Sequence, residues 1–551
     1  MSTPLLALAL AALCVATARA DEPMIEHVIQ KSDTLEALSS TMLSSPLAWR
    51  EVARINRLAN PDRIRPGQRL RIPTRLMRSE AVSATLVSVS GEVRVGGGAP
   101  ATVGSTLAEG QSLETGEAGS AIIALADGSR VRVPPSSLAE VVASRQYGGR
   151  HLPADASGTQ EPGGTVPWFA GTLRLLRGSV EVFATKVLRA KPLEVVTPTA
   201  VVGVRGTHYR VGFDEGNGNL THSEVLEGQV RFDAAGRPAG ADVSSGLGAA
   251  IDAVASAAVV AKLLPGPDLS SVPERFERPI VRFVAPPGVP PLHLQVAADA
   301  GFERIVSDQQ VKPGAEVRVA GLDDAQWFLR ARSVDPNGIE GFDTTRTFLL
   351  KARPEPPAYR APRAASKQSV GEIEFSWAPN ADAQRARLQV AKDPAFATLV
   401  QDSEITAAPN LRTTLAEPGT YHWRVATIRP NGDQGPFGDS QVFELRPTPE
   451  PAASGRSADG NSLVFRWNGR AEDRQQVEFA RDAEFREVVA RAELGAAEWA
   501  LPLPSRGGRY YFRYRSIEPD GFVSSYSATL IIDIPRDWSG LGLLLPLLLI
   551  F

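Results

Sequence analysis

A short string occurs three times in the C-terminal half of the chain. Gln295-Val296-Ala297-Ala298-Asp299-Ala300-Gly301-Phe302 aligns with Gln389-Val390-Ala391-Lys392-Asp393-Pro394-Ala395-Phe396 and with Glu478-Phe479-Ala480-Arg481-Asp482-Ala483-Glu484-Phe485. A second string follows each copy: Trp327 to Gly338, Tyr421 to Gly432 and Tyr510 to Gly521, each ending Pro-Asn-Gly or Pro-Asp-Gly. Such a repeat restricts the fold to an array of similar units of about 90 residues, the size of a small β-sandwich. The units are placed at 275–352, 364–446 and 458–535. Trp377 and Trp467 occupy early strands in the second and third units, and Phe283 stands near that place in the first. With period-two neighbours, Trp377, Trp423 and Trp467 read as core and not as sugar-stacking platforms. Proline-rich Pro354 to Arg363 and Pro447 to Ser457 read as semi-extended spacers.

The full 551 residues exceed one compact domain and suggest roughly four. Hydrophobic residues make up 43 % and charged residues 22 %, so several cores can form. The 59 Lys+Arg stand against 62 Asp+Glu, a net charge of -3. No basic excess exists to neutralise phosphates, which argues against a nucleic-acid partner. Leu5 to Ala16 is apolar and is followed by Ala18-Arg19-Ala20, a secretory signal over 1–20, although no Lys or Arg precedes it. Its dozen apolar residues cannot span ~30 Å of hydrocarbon. Cys14, the only cysteine, lies inside it, preceded by Leu13 and not by the small residue a lipid anchor needs. Cleavage before Asp21 removes disulfides, thiolate metal sites and cysteine nucleophiles together.

Residues 25–74 read as strand, helix, helix, strand. His27-Val28-Ile29 reads as a short strand. Asp33 caps a helix with Glu36 reaching back, and Leu35, Leu38 and Met42 recur at helical spacing. Ser45-Pro46 starts a second helix with Pro46 at its first position, and Trp49, Val52, Ala53 and Asn56 follow. Asn60-Pro61 stops it, Pro66-Gly67 turns, and Leu70 to Pro73 returns as a strand. These residues resemble a LysM domain in Ser32-Asp33-Thr34-Leu35, Asn56, Asn60-Pro61 and Ile64-Arg65-Pro66-Gly67-Gln68-Arg69-Leu70-Arg71-Ile72-Pro73. Ser32 replaces the family's glycine and Glu36 its common aromatic. The resemblance implies binding of N-acetylglucosamine-containing glycans, chiefly peptidoglycan. It places the groove at Asp33, Thr34 and Leu35 facing Asn60, Pro61 and Ile64.

Residues 80–265 alternate with period two at Val87–Val95, Ala121–Leu125, Ser129–Val133, Thr172–Phe183, Leu193–Val196, His208–Phe213 and Ser223–Phe232, with glycines between. Helix signals are few before Ile251 to Lys262, and 145–167 reads as a polar surface loop. Leu113-Glu114-Thr115-Gly116 through Asp127-Gly128-Ser129, Thr197 to Thr207, and Glu227-Gly228-Gln229-Val230 resemble the FecR domain. That family is best known as the periplasmic sensing part of transmembrane regulators of sigma factors. This chain lacks the cytoplasmic helical segment and internal span of such a relay, so the sensing fold carries over and anti-sigma activity does not. Thr197, Pro198, Arg205, Gly206 and Thr207 read as structural, with Arg205 paired and Gly206 at positive φ.

The repeats look like fibronectin type III domains. Gly419-Thr420-Tyr421-His422-Trp423-Arg424-Val425 resembles that family's penultimate strand, whose tyrosine makes a corner hydrogen bond; the first unit has Trp327 there. The tail 536–551 holds apolar Leu541 to Phe551, too short to span a bilayer. It reads as a membrane anchor cut short, a buried end or a sorting signal. No His-Glu-x-x-His, Gly-x-Ser-x-Gly or Gly-Lys-Ser/Thr motif occurs. His208 and His222 flank a hairpin turning at Asp214 to Asn219 and share parity with Glu224, but the pairing does not oppose them. Asp214, Glu215 and Asn217 lack a calcium loop's pattern.

The expectation is therefore a mainly β multidomain protein: a βααβ LysM module, a FecR-like all-β domain and three tandem fibronectin type III-like β-sandwiches. It is exported to the periplasm or envelope of a Gram-negative bacterium. It is not an enzyme and uses no metal or cofactor. Its partners are peptidoglycan and envelope proteins, with membrane contact by the tail left open. The alternatives are a periplasmic component of a FecR-type signalling system acting through a partner, and an accessory subunit of a wall-processing enzyme.

Overall fold

The computed structural model describes residues 23–148, 168–187, 189, 191–204, 206–236, 240–378, 385–406 and 408–535. The signal stretch with Cys14, most of the 145–167 loop, Arg205 and the apolar tail lie outside them. The fold is mainly β and multidomain. It divides into two compact units, Met1–Leu350 and Lys351–Phe551.

The first unit begins with the βααβ module. Met24–Val28 pairs antiparallel with Arg69–Pro73, and the helices Leu35–Met42 and Trp49–Ile55 lie between them in the chain. Leu35, Leu38, Met42, Val52 and Ala53 are buried, as their spacing predicts. Two helix starts differ from expectation. Thr34, not Asp33, is the N-cap, its Oγ1 accepting from Ala37 N at 3.0 Å. Pro46 sits in a turn, and the second helix starts at Trp49. Asn56 closes that helix by bonding across to Arg71, its amide donating to Arg71 O (2.7 Å) and its Oδ1 accepting from Arg71 N (2.7 Å). The module's core also takes in Trp168 from the next domain, buried among Ile25, Leu38 and Ile72.

A closed barrel follows, from Ser79–Ala81 to Val259–Lys262. Its longest strand, Trp168–Phe183, belongs to both barrel sheets. The first half pairs with Leu138–Tyr147 antiparallel and with Leu193–Val196 in parallel. The second half pairs with Arg130–Val133 and His208–Asp214. The change of sheet occurs at Gly178, at φ 78°, where a Cβ would stand 2.3 Å from Ser137 Oγ; only glycine fits that bend. Glycines also split two of the expected strands. Val87–Val95 breaks at Gly91 into Ala84–Ser90 and Val93–Val95. Ser223–Phe232 breaks at Gly228 into Leu220–Glu227 and Gln229–Ala234. The helix signal at Ile251 to Lys262 fails. The segment forms parts of strands Leu247–Ile251 and Val259–Lys262, because Leu220–Glu227 offers an edge to pair with. Tertiary pairing overrides the alanine-rich propensity.

The first repeat completes this unit. One sheet holds Arg275–Phe276, Thr344–Leu350, Ala325–Ser333, Leu292–Ala297 and Ile305–Val311; the other pairs Val281–Val284 with Glu316–Val319. The second unit holds the other two sandwiches. Trp377, Trp423 and Trp467 are all core. Each repeat makes the same corner, back to the carbonyl four residues earlier: Tyr421 Oη to Glu417 O (2.8 Å), Tyr510 Oη to Arg506 O (2.7 Å) and Trp327 Nε1 to Asp323 O (2.9 Å). An indole N–H thus takes the place of a phenol. The proline-rich segments are not spacers. Tyr359 packs 4.6 Å from the Trp423 ring and its Oη accepts from Val425 N (3.0 Å), while Glu450 O accepts from Tyr514 Oη (2.7 Å). Their aromatic partners were not visible in proline content.

Trp168→Ala should cost about 3–5 kcal/mol and loosen residues 25–73 although it lies outside them. Amide exchange at Leu70 and Ile72 checks this, and unchanged protection there would contradict the shared core. Tyr421→Phe should cost about 1 kcal/mol in the second unit, read by denaturant unfolding.

Candidate functional site

The expected groove residues fall on two adjoining loops, except Leu35, which opens the first helix. Ile29 joins them: its N–H donates to Gln68 O and its carbonyl accepts from Gly67 N, both at 2.8 Å. On one wall Asp33 Oδ2 accepts from Gln30 N (2.9 Å) and lies 3.0 Å from Nε2 of the buried His27. On the other, exposed Asn60 accepts from Asp62 N through Oδ1 (2.9 Å), beside half-buried Pro61 and Ile64. Thr34 is exposed, but the Leu35 side chain is buried in the core and does not line the loops. Sequence reading missed His27 as the group beneath Asp33; its inward place on the strand was the available signal. The two loops offer small polar side chains and backbone groups beside half-buried Pro61 and Ile64, the kinds of partner an acetamide-bearing sugar can use.

The FecR-like strings build a scaffold. Thr197 Oγ1 accepts from Ala200 N (2.9 Å) and meets Thr221 Oγ1 at 2.6 Å, tying the exposed Pro198 turn to a neighbouring strand. Gly206 has φ 81°, as expected, and buried Thr207 lies against Gly228, where a Cβ would come 2.6 Å from its Cγ2. Arg205 lies outside the described residues. Asp127 and Arg189 form an ion pair at 2.6 Å with both side chains almost wholly buried. Thr115 Oγ1 donates to Pro134 O (2.6 Å) and accepts from Ser137 N (2.9 Å). His208 opposes Glu227 and His222 opposes Gly212, so the two histidines do not face each other. Each instead meets a carboxylate: His208 Nε2 meets Glu181 at 2.9 Å, and His222 Nδ1 meets Glu224 at 2.6 Å.

Those carboxylates belong to a buried charge seam between the barrel and the first repeat that the sequence did not reveal. From the barrel, Arg132 binds Glu181 and donates to Gly301 O (2.6 Å). Arg210 reaches Asp343 (3.0 Å) and Gly341 O (2.7 Å). Ser120 Oγ donates to Glu303 O and accepts from Ile305 N (3.0 Å). From the repeat, Arg330 lies 3.6 Å from Glu181, and Glu340 N donates to Glu224 at 3.1 Å. Arg332 pairs with Glu340 at 2.7 Å. His293 stands between Glu340 and Asp308.

Burial opposes charge in the seam; at His293, Glu181, Glu340, Asp343 and Arg332 the partners outweigh it, whereas at Arg330 burial and the neighbouring Arg332 win and push it down to about 9. Asp308 and Glu340 hold His293 up to about 10. His208, Arg330 and Arg132 hold Glu181 well below the usual carboxylate range, and His293 and Arg332 do the same for Glu340. Stabilisation from His293 is complete below its ordinary value near 6.5 and is lost as pH rises toward about 10. Stabilisation from Glu181 and Glu340 is present above their ordinary value near 4.5 and is lost only in stronger acid. The first unit's melting temperature should therefore be flat between about pH 4.5 and 6.5 and fall from there toward pH 10. In His293→Gln it should be lower overall, with the alkaline slope removed. Calorimetry across pH checks this, and an equal alkaline slope in both proteins would contradict it.

Among the described residues no His/Cys/Asp/Glu cluster is arranged to hold a metal, and no helix is long and apolar enough to cross a membrane. The LysM domain model matches residues 27–73 and the FecR protein model matches residues 168–231. No curated protein matches. Among solved structures, a candidate anti-sigma factor from Parabacteroides distasonis ATCC 8503 is 13 % identical, over 27 % of this chain and 59 % of that one, with a TM-score of 0.20. The FN1-FN3 domains of chicken CNTN1 are 12 % identical over 47 % and 95 % of the two chains, TM-score 0.20. The fibronectin(III)-like modules of Clostridium thermocellum CbhA are 15 % identical over 32 % and 93 %, TM-score 0.20. At those scores the structural likenesses carry no argument.

Proposed function

We propose that this chain, which carries a LysM domain and a FecR domain ahead of fibronectin type III-like sandwiches, is an exported, non-catalytic protein of the bacterial envelope. It holds peptidoglycan, or another N-acetylglucosamine-containing glycan, in the groove between residues 30–35 and 60–68. It presents the FecR barrel for sensing or assembly. The observation that carries the glycan reading is the pair of loops pinned together through Ile29, with Asp33 on one wall and Asn60 on the other. The domains are binding and regulatory modules, and no residue set in the described chain suggests turnover of the glycan. Export to a Gram-negative periplasm rests on residues 1–20 and on the envelope association typical of both domains.

A second reading, a periplasmic component of a FecR-type signalling system acting through a separate partner, is favoured by the FecR domain itself. A genomic neighbour encoding a membrane partner distinguishes it.

Deleting the LysM domain is a poor test, because it would uncover Trp168. Asp33→Asn with Asn60→Ala leaves the core intact. Retention on insoluble peptidoglycan should drop roughly ten-fold, about 1.4 kcal/mol, with melting little changed and no muropeptides released by either protein. Equal retention would sink the groove assignment; muropeptide release would revive an enzymatic role.

A further inference from the structure

The face of the first repeat that meets the barrel has counterparts in the other two. By their shared strings, Gln295, Phe302 and Arg330 correspond to Gln389, Phe396 and Arg424, and to Glu478, Phe485 and Arg513. All three copies build one stack. The phenylalanine sits at positive φ (54°, 58° and 56°). It is held in a turn whose aspartate accepts from the amides that follow. The arginine lies over that ring at 4.4, 3.9 and 3.9 Å. The glutamine or glutamate binds the arginine through two of its nitrogens.

The copies differ in what covers the arginine. In the second and third repeats a second ring lies against it: Phe437 at 4.4 Å from Arg424 and Tyr526 at 3.9 Å from Arg513. At the same aligned place the first repeat carries Asp343. Asp343 pairs with Arg330 (3.5 Å), with Arg332 and with the barrel's Arg210 (3.0 Å). Without a ring over it, Arg330 reaches the barrel's Glu181. Its side chain is 7 % exposed, against 26 % for Arg513. Glu340 changes in the same direction. Its counterparts are Gln434 and Val523, whereas Glu340 binds Arg332 and gives its backbone N–H to Glu224.

We infer that the first repeat is a dedicated docking partner of the FecR barrel, opened for that role by an aspartate in place of an aromatic lid. A ligand or partner of this FecR domain therefore meets a composite barrel–sandwich body. The chemistry is selective because a desolvated charge without its partner is costly. A lidded repeat presents a ring where the barrel needs a carboxylate for Arg210, and it hides the arginine that Glu181 needs. Gln295, which is neutral, leaves the Arg330 charge to Asp343 and the barrel's Glu181, whereas Glu478 neutralises Arg513 within its own repeat.

The test uses the full chain with Asp343→Tyr, and Tyr526→Asp as the control. Amide exchange reads the seam at Ile305 and Phe342, whose N–H groups bond to Ser120 Oγ and Leu264 O. It reads the repeat's interior at Leu294 and Leu329. Asp343→Tyr should speed seam exchange by about ten-fold or more while the interior stays protected, and Tyr526→Asp should leave the seam as in the parent. Unchanged seam exchange in Asp343→Tyr, or a loosened seam in the control, overturns the inference. If the repeat's interior opens as well, Glu181→Gln decides, because it leaves the repeat's own sequence intact. Faster seam exchange in that variant supports the inference, and unchanged exchange overturns it.

Discussion

The first unit depends on one strand, Trp168–Phe183, and on what its two ends bury. Trp168 at one end sits in the core of the LysM domain. Gly178 bends the strand from one barrel sheet into the other. Glu181 near the far end is almost wholly buried and meets Arg132 and His208 within the barrel and Arg330 across the seam. Three domains are thus tied to sixteen residues. Apolar burial does the tying at the LysM end, and a desolvated carboxylate does it at the sandwich end.

The two kinds of contact behave differently. Burying Trp168 is non-directional and accepts any surface that excludes water. Burying Glu181 is favourable only if its cations come into place with it, since the cost of desolvation is recovered by partners alone. The seam is therefore weak as a source of net stability and strong as a filter on what can dock. The same reasoning explains the sandwiches' differing surfaces. An arginine stacked on one ring can be closed off by a second ring or completed by a carboxylate, and the choice decides whether the face is finished within its own repeat or needs another domain.

The FecR-like strings show the same economy. Gly206 and Gly228 are held close by Thr207 and hold barrel turns, Asp127 is consumed by Arg189, and the threonines around Pro198 bond to one another. These strings are thus used up in holding the barrel together, and any ligand contact of the domain is better sought on its surfaces.

Much of this was legible in sequence because the governing interactions are local. Period-two stretches marked the strands, helical spacing marked Leu35, Leu38 and Met42, and the repeated strings marked three sandwiches, since an Asp-capped turn with phenylalanine at positive φ depends on a few neighbouring residues. Where the expectation slipped, a non-local partner decided. Pro46 gave way to a turn before Trp49, Ile251 to Lys262 became strand through an open edge, and the proline-rich segments packed because Tyr359 and Glu450 found partners in their sandwiches. The proposed groove is an intermediate case: the loops carrying Asp33 and Asn60 are visible in sequence, but the burial of Leu35 and the contact of His27 with Asp33 are not. The sequence alone determined the kinds of module and their order, because periodicity and turn chemistry are written along the chain. Only tertiary structure decided that Trp168 belongs to the LysM core and that Arg330 answers Glu181, because burial and charge pairing act between residues far apart in sequence.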